Sequence, residues 1–155
     1  MPITEKHLFD QFSKLAKKVK QDFKNKGLVV PTQKKDGTIQ VGDFTILKKN
    51  HVFYIADKYG EPIVGPLNLP QTAVITANDL ALGRWPDVKI IDCDKWYGYK
   101  AFEEQVATNL AEKARKSHDA DRADFSLYEA SVAANRKAGY KKSIDARFNK
   151  LCKLT

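Results

Sequence analysis

The chain has 155 residues and a formal net charge of +8, and 43% of its residues are hydrophobic and 30% charged. These proportions are typical of a globular protein and the length suits about one domain, which excludes a fibrous repeat, extensive disorder and a second full domain. The longest apolar runs are only a few residues where a membrane-spanning helix needs about 18, and Cys93 and Cys152 are the two cysteines, so we expect a reduced, cytoplasmic protein without membrane partners.

Basic residues concentrate at the two ends of the chain. Residues 1–35 contain nine lysines and three acidic residues, and residues 136–155 contain seven basic residues and one acidic residue. The stretch between them is mildly acidic. If the two ends met in space, they would suit an anionic partner.

The first predicted element is a helix over residues 5–26, with Thr4 as its N-cap and Gly27 as its C-terminal stop. Its apolar residues form one narrow stripe: Leu8, Phe12, Leu15, Val19 and Phe23. Its lysines occupy the opposite face: Lys14, Lys17, Lys18, Lys20 and Lys24. Because burial of each apolar side chain contributes about 1.5 to 3 kcal/mol, we expect the stripe to be buried in the protomer or in an intimate oligomer. The alternative is an arm that lies on an anionic membrane or in a partner's groove.

Residues 28–65 change to the two-residue period of β-strands. The β-rich runs lie at 28–30, 44–47, 52–56 and 62–64. Short polar segments, among them residues 57–60, separate successive runs as hairpin turns. The pattern predicts a small antiparallel meander.

Pro70 suits the first turn of a helix, and apolar residues at helical spacing continue from there until Gly83. This short central helix is expected to cover one face of the sheet. Residues 88–91 are rich in β-branched side chains and are predicted to add a further strand.

The last third of the chain is predicted to be an antiparallel helical hairpin, interrupted at residues 118–121. Aromatic and aliphatic residues form a stripe on each of its helices: Tyr99, Phe102, Val106 and Leu110 on the first, and Phe125, Tyr128 and Val132 on the second. Beyond Gly139 the stripe resumes, and we favour one continuous helix that tolerates this glycine over a third helix that starts there.

Together these elements predict an α+β fold, in which a small antiparallel sheet is packed by the N-terminal helix and the short central helix. We treat residues 1–155 as a single domain, with the helix, meander and central helix in 5–92 and the helical hairpin extension in 93–155. Exposed sheet edges and the aromatic stripes of the hairpin favour a homo-oligomer or association with other proteins.

Two sets of residues are candidates for nucleic-acid contacts. Lysines and arginines of both ends would bind phosphates: Lys14, Lys17, Lys18, Lys24, Arg136, Lys137, Lys141 and Lys142. Aromatic residues beside cations would stack on bases: Trp85, Trp96 and Tyr97. The alternative for these three rings, and the one we favour, is packing at the edge of the core. The element order over residues 5–83 also matches that of a double-stranded RNA-binding domain, but the central helix lacks the lysines that such a domain uses.

No catalytic, cofactor or metal site is predicted. The chain has no nucleophile elbow, phosphate-binding loop or dinucleotide-binding motif, and its histidines and cysteines lack metal-ligand spacing. Asp92 and Asp94 lie two residues apart, which is too common a spacing to indicate a cation site, and Asp94 is expected to cap a helix. Asp119, Asp121 and Asp124 lack the glycine and the acidic residue that a calcium loop needs, so we expect them to face a helix N-terminus.

Several short motifs resemble those of small uncharacterised proteins of marine tailed phages: GDFTI at 42–46, FYIADKYG at 53–60, LNLPQTA at 67–73, YEA at 128–130 and KSIDARF at 142–148. The resemblance implies a phage-encoded protein of the host cytoplasm or of the virion, and it brings no catalytic residues. The lysine-rich first segment lies outside it.

From these observations we expect a non-enzymatic, basic accessory or virion-associated protein that acts by self-assembly and protein binding. The alternative is a nucleic-acid-binding module without sequence preference. An enzyme that lacks recognisable motifs is the third interpretation.

Overall fold

The computed structural model describes residues 31–152, apart from the side chain of Cys152. The predicted helix over 5–26 and the predicted strand over 28–30 therefore lie outside the described residues. Within residues 31–152, five strands precede three helices: β1 (Thr32–Gln33), β2 (Ile39–Val41), β3 (Phe44–Lys49), β4 (Val52–Ala56), β5 (Pro62–Leu67), α1 (Pro70–Ala81), α2 (Val88–Lys116) and α3 (Ala120–Cys152). The predicted α+β fold is confirmed.

The strands form one antiparallel sheet in the order β1-β2-β3-β4-β5, which is a meander. Isoleucines occupy matching positions across its centre, because Ile39 pairs with Ile46 and Ile46 pairs with Ile55. All three side chains are buried, and they belong to the hydrophobic core on one face of the sheet. The strand over 52–56 is as predicted, whereas β1 and β2 were not expected because both are very short.

Turn chemistry fixes the two hairpins at the ends of the meander. The Asp36 carboxylate accepts hydrogen bonds from the Thr38 backbone N–H at 3.0 Å and from the Thr38 hydroxyl at 2.6 Å. The Asp57 carboxylate accepts from the Tyr59 N–H at 2.9 Å, and Gly60 has a φ of 82°, which suits glycine. The predicted turn over 57–60 is therefore confirmed.

α1 is buried along most of its length. Every residue from Gln71 to Asp79 is buried, because the helix contacts β2, β3 and β4 on one side and α3 on another. Its polar residues are satisfied in part by other elements, since the Gln71 side-chain amide donates to the Asp145 carboxylate of α3 at 2.9 Å. The central helix covers one face of the sheet, as predicted, and it also supports the C-terminal helix.

Asp94 of α2 holds the start of α1. It is 1% exposed, and it accepts hydrogen bonds from the backbone N–H groups of Asn68 (2.7 Å) and Leu69 (2.9 Å) and from the Thr72 hydroxyl (2.8 Å). The N-cap residue Leu69 has no capping side chain of its own. Asp94 therefore caps a helix, as expected, and the helix that it caps is α1 although Asp94 lies within α2.

Residues 88–91 are the first turn of α2, so the strand predicted there is wrong. The Asp87 side chain caps this helix by accepting from the backbone N–H groups of Lys89 (3.1 Å) and Ile90 (3.4 Å). The cap, together with burial of Ile90 in the core, overrides the β-propensity of the branched side chains. The helix therefore begins five residues before position 93, where the hairpin extension was expected to start.

α2 and α3 form the predicted hairpin, and α3 is one continuous helix through Gly139, as expected. Asp119 caps α3 by accepting from the Arg122 N–H at 3.2 Å, in line with the acidic helix start predicted for this segment. Ile144, Phe148 and Leu151 at the end of α3 belong to the core around the sheet.

The two glycines of the hairpin should respond oppositely to alanine. A Cβ at Gly98 would overlap the Asn68 side-chain amide, which is held by its hydrogen bond to the Asp94 carbonyl, whereas nothing lies within 4 Å of a Cβ at Gly139. We expect Gly98→Ala to lower the free energy of unfolding by about 1 to 3 kcal/mol and Gly139→Ala to raise it by about 0.5 to 1 kcal/mol. Urea unfolding measures both, and changes of the same sign would contradict the packing described here.

Asp94→Asn tests the link between α2 and α1. An amide has one acceptor oxygen and its NH2 group would face backbone donors, so we expect a loss of about 1 to 3 kcal/mol at neutral pH. Burial raises the pKa of Asp94 above its ordinary value near 3.8, although the hydrogen bonds that it accepts oppose the shift. Between pH 3.8 and the raised pKa, Asp94 is protonated in the folded state and ionised in the unfolded state. Its contribution to the free energy of unfolding is therefore largest below pH 3.8 and is lost as the pH rises through the raised pKa. The deficit of the variant should therefore grow from neutral pH toward about pH 4. A deficit that shrinks over this range in unfolding measurements would contradict the assignment.

Candidate functional site

The outer part of the hairpin is held together by small side chains. Buried positions recur three or four residues apart on both helices, and small residues occupy them: Ala107, Ala111 and Ala114 on α2, and Ala123, Ser126, Ala130 and Ala133 on α3. Small side chains at such positions allow two helices to pack closely. A partly buried ion pair also crosses between the helices, from Lys137 Nζ to Glu104 Oε2 at 2.8 Å. We call the packing of these small side chains of α2 against those of α3 the alanine seam.

Because the seam accommodates only small residues, the large apolar residues of the outer part of the hairpin lie on its outside. The stripe on α2 is 68% exposed at Phe102, 50% at Leu110 and 40% at Val106. On α3, Tyr128 is 67% exposed and Phe125 is 62% exposed. The stripes that the sequence predicted are therefore solvent-facing surfaces of this chain.

A shallow groove of about 250 Å³ runs along the α2 stripe. It is lined by Phe102, Glu103, Val106, Ala107, Leu110 and Glu129. Four of these residues are apolar, and the other two are glutamates, one from each helix. Glu103 also binds Lys100 of the preceding turn, with Nζ 3.0 Å from Oε2.

The structure describes four of the eight basic residues that were predicted as phosphate contacts, and all four lie on α3. Lys14, Lys17, Lys18 and Lys24 lie outside the described residues. Lys137 binds Glu104, and Lys141 Nζ lies 2.7 Å from Asp145 Oδ2. Arg136 and Lys142 are exposed on α3. The two lysines in ion pairs are already neutralised within the chain.

The three predicted stacking residues do not form one platform. Trp85 is 93% exposed in the connection between α1 and α2, so the favoured expectation that it packs at the core edge is wrong. Trp96 is half exposed and its ring contacts Tyr99 edge to face, with centroids 5.6 Å apart. Tyr97 is partly buried against the core, with Lys137 Nζ 5.9 Å from its ring centroid. Only Trp96 therefore continues the exposed stripe of α2.

The buried Asp79 near the end of α1 and the partly exposed Cys93 near the start of α2 have raised pKa values. Burial raises the pKa of Asp79, and the nearby Arg147 guanidinium, 3.8 Å away, opposes that shift. Burial also raises the pKa of the Cys93 thiol.

Within residues 31–152 no three or more histidine, cysteine or acidic side chains converge as metal ligands would. In the same part of the chain, no helix has the length and apolar character to cross a membrane.

The groove was not identified from the sequence, although a signal for it was present. Both the aromatic stripes and the alanines repeat at helical spacing, so each set defines a face of the hairpin. A hairpin of two helices has one seam, and only one set can occupy it. The close spacing of alanines on both helices was the feature that distinguished the buried face from the exposed one.

The chain matches no protein-family model, no curated protein and no solved structure. The surface described above is therefore interpreted from its own chemistry.

The alanine seam should not tolerate a larger residue. Ala130 is 8% exposed in the seam, whereas Ala138 lies exposed on the same helix. We expect Ala130→Leu to lower the free energy of unfolding by about 1 to 3 kcal/mol because it forces the helices apart. The matched variant Ala138→Leu should change it by less than about 0.5 kcal/mol. Chemical unfolding of both proteins is the measurement, and equal effects would show that Ala130 does not lie in a tight contact.

Proposed function

We propose that this protein is a non-enzymatic accessory protein that self-assembles and binds other proteins through the outer stripes of its helical hairpin. The observation that carries the proposal is the exposure of Phe102 (68%), Tyr128 (67%) and Phe125 (62%) on an ordered helical surface. Monomeric soluble proteins rarely expose large contiguous apolar patches, and those that occur mark interaction sites.

The size of this surface supports association. Aromatic side chains bury about 150 to 250 Å² each, so covering the five exposed rings from Trp96 to Tyr128, now 47 to 68% exposed, would remove about 450 to 750 Å² from water. Neighbouring Val106, Leu110 and Leu127 add to that area. A standard protein interface buries about 800 Å² per partner, so the stripes approach what a specific complex needs.

The sheet edges support association less well than the sequence suggested. β1 has only two residues, and β5 contains prolines at positions 62 and 66. Short edge strands and prolines both prevent pairing with another strand. The hairpin is therefore the surface on which we base the proposal.

The alternative, nucleic-acid binding without sequence preference, draws less support from the described residues. Lys137 and Lys141 would have to give up the carboxylates of Glu104 and Asp145 to bind phosphate. The surface around the apolar groove carries Glu103 and Glu129, which would repel a phosphate backbone. Protein binding fits this combination of apolar and acidic groups better.

The resemblance to proteins of marine tailed phages is compatible with this role. We propose that the protein acts in the host cytoplasm or in the virion, where an accessory protein of this kind would assemble with copies of itself or with other proteins. Light scattering of the purified protein with and without an added oligonucleotide separates the two functions, since only the nucleic-acid-binding alternative predicts a mass increase with the oligonucleotide.

Substitution of the stripes should abolish self-association without unfolding the chain. We expect the wild-type protein to form a concentration-dependent oligomer and Phe102→Ser with Tyr128→Ser to be monomeric, because these rings are exposed in the protomer. The matched control is Trp85→Ser, which removes an even more exposed ring (93%) away from the hairpin and should leave the oligomer intact. Size-exclusion chromatography with light scattering gives the masses, and circular dichroism checks the fold. A wild-type protein that stays monomeric at high concentration would refute self-assembly.

A further inference from the structure

We infer that the groove on α2 binds the basic amphipathic segment 5–26 of a second copy of this chain, so that two copies exchange their N-terminal segments. The inference rests on the proposed self-assembly, and it identifies the segment of the second copy that would cover the hairpin. It is carried by the groove lined by Phe102, Val106 and Leu110 and bordered by Glu103 and Glu129.

The apolar surfaces match in length. The exposed stripe of α2, together with Trp96 that continues it, runs from Trp96 to Leu110, which at a rise of about 1.5 Å per residue spans about 21 Å. The sequence pattern of residues 5–26 predicts a helix whose apolar stripe runs from Leu8 to Phe23, about 22 Å in the same geometry. On the outer face of the sheet, by comparison, the residues that line a second apolar depression, such as Val52 and Tyr54, are already half-buried.

The charges are complementary. Within the lysine face, at about 100° per residue, Lys18 and Lys20 lie nearest to the two edges of the predicted apolar stripe, while Lys14 and Lys17 lie farther from it. Two glutamates are among the residues that line the groove, Glu103 on α2 and Glu129 on α3. The largely buried Lys100, 12% exposed, neutralises Glu103 in part, but the Glu103 side chain is itself 54% exposed and stays accessible to a second cation. Direct pairing of the groove with the same groove of another copy would instead bring acidic groups together.

The reach of the chain favours a second copy over the segment's own copy. Five residues, 27–31, connect the segment to β1, and they span at most about 18 Å. β1 and β5 are opposite edges of the five-stranded sheet, about 19 Å apart at the usual strand spacing, and α2 contacts β5. The groove lies still further along α2, beyond the residues that belong to the core. Reciprocal exchange between two copies fills both grooves and closes the assembly as a dimer.

The test uses three full-length charge variants. The groove variant carries Glu103→Lys and Glu129→Lys, and the segment variant carries Lys18→Glu and Lys20→Glu. The control carries Lys14→Glu and Lys17→Glu, the same change in net charge on the opposite side of the predicted helix. Dimer dissociation constants come from sedimentation or light scattering across a concentration series, with circular dichroism as the check on folding.

We expect the groove variant and the segment variant each to dimerise at least about tenfold more weakly than the wild type, because like charges then face each other. The control should dimerise as the wild type does. An equimolar mixture of the groove and segment variants should recover a dimer containing one copy of each, because in that mixture every groove meets a segment of opposite charge.

Three results would overturn the inference, and they can be told apart. A monomeric wild type would remove self-assembly itself and the inference with it. A segment variant that dimerises as tightly as the wild type would leave self-assembly in place but show that the hairpins pair without the segment. A mixture in which no mixed dimer forms would show that the segment does not bind the groove of a second copy.

Discussion

The alanine seam between α2 and α3 is the constraint on which the surface of this protein depends. At the buried positions of the outer hairpin the two helices present almost nothing larger than alanine, so they pack closely and have no room for the aromatic residues that their sequences also contain. Phe102, Phe125 and Tyr128 must then lie outside. A close contact between two helices thus creates an apolar exterior, and that exterior is the reason to expect a partner.

The hairpin can present this surface because its base is anchored to the sheet domain. Asp94 ties α2 to the start of α1 through three short hydrogen bonds, and Ile144 and Phe148 of α3 are fully buried in the core beside α1. The buried carboxylate costs desolvation, which is why its pKa is raised, yet it supplies the cap that α1 lacks. The same residues therefore stabilise the core around the sheet and set the direction in which the hairpin extends from it.

Much of the fold could be predicted because local signals agreed with tertiary structure. Pro70 and Gly83 delimit α1, the segment 57–60 forms its turn, and Gly139 is tolerated within α3. Residues 88–91 were mispredicted because their β-branched side chains favour a strand when taken alone, whereas the Asp87 cap and core contacts make them helical. Which helix Asp94 caps could not be predicted, since its partners lie more than 20 residues away in sequence. The exposed stripes were recognised as apolar, but only the structure places the alanines in the seam and the groove beside Glu129.

We propose that the outer stripes of the hairpin are covered when the protein associates. Hydroxyl-radical footprinting of the wild-type chain at low and high protein concentration measures this at each side chain. We expect Phe102 and Tyr128 to become strongly protected at high concentration, while Trp85, on the connection between α1 and α2, reacts equally at both concentrations. Equal reactivity of all three rings at both concentrations would contradict it.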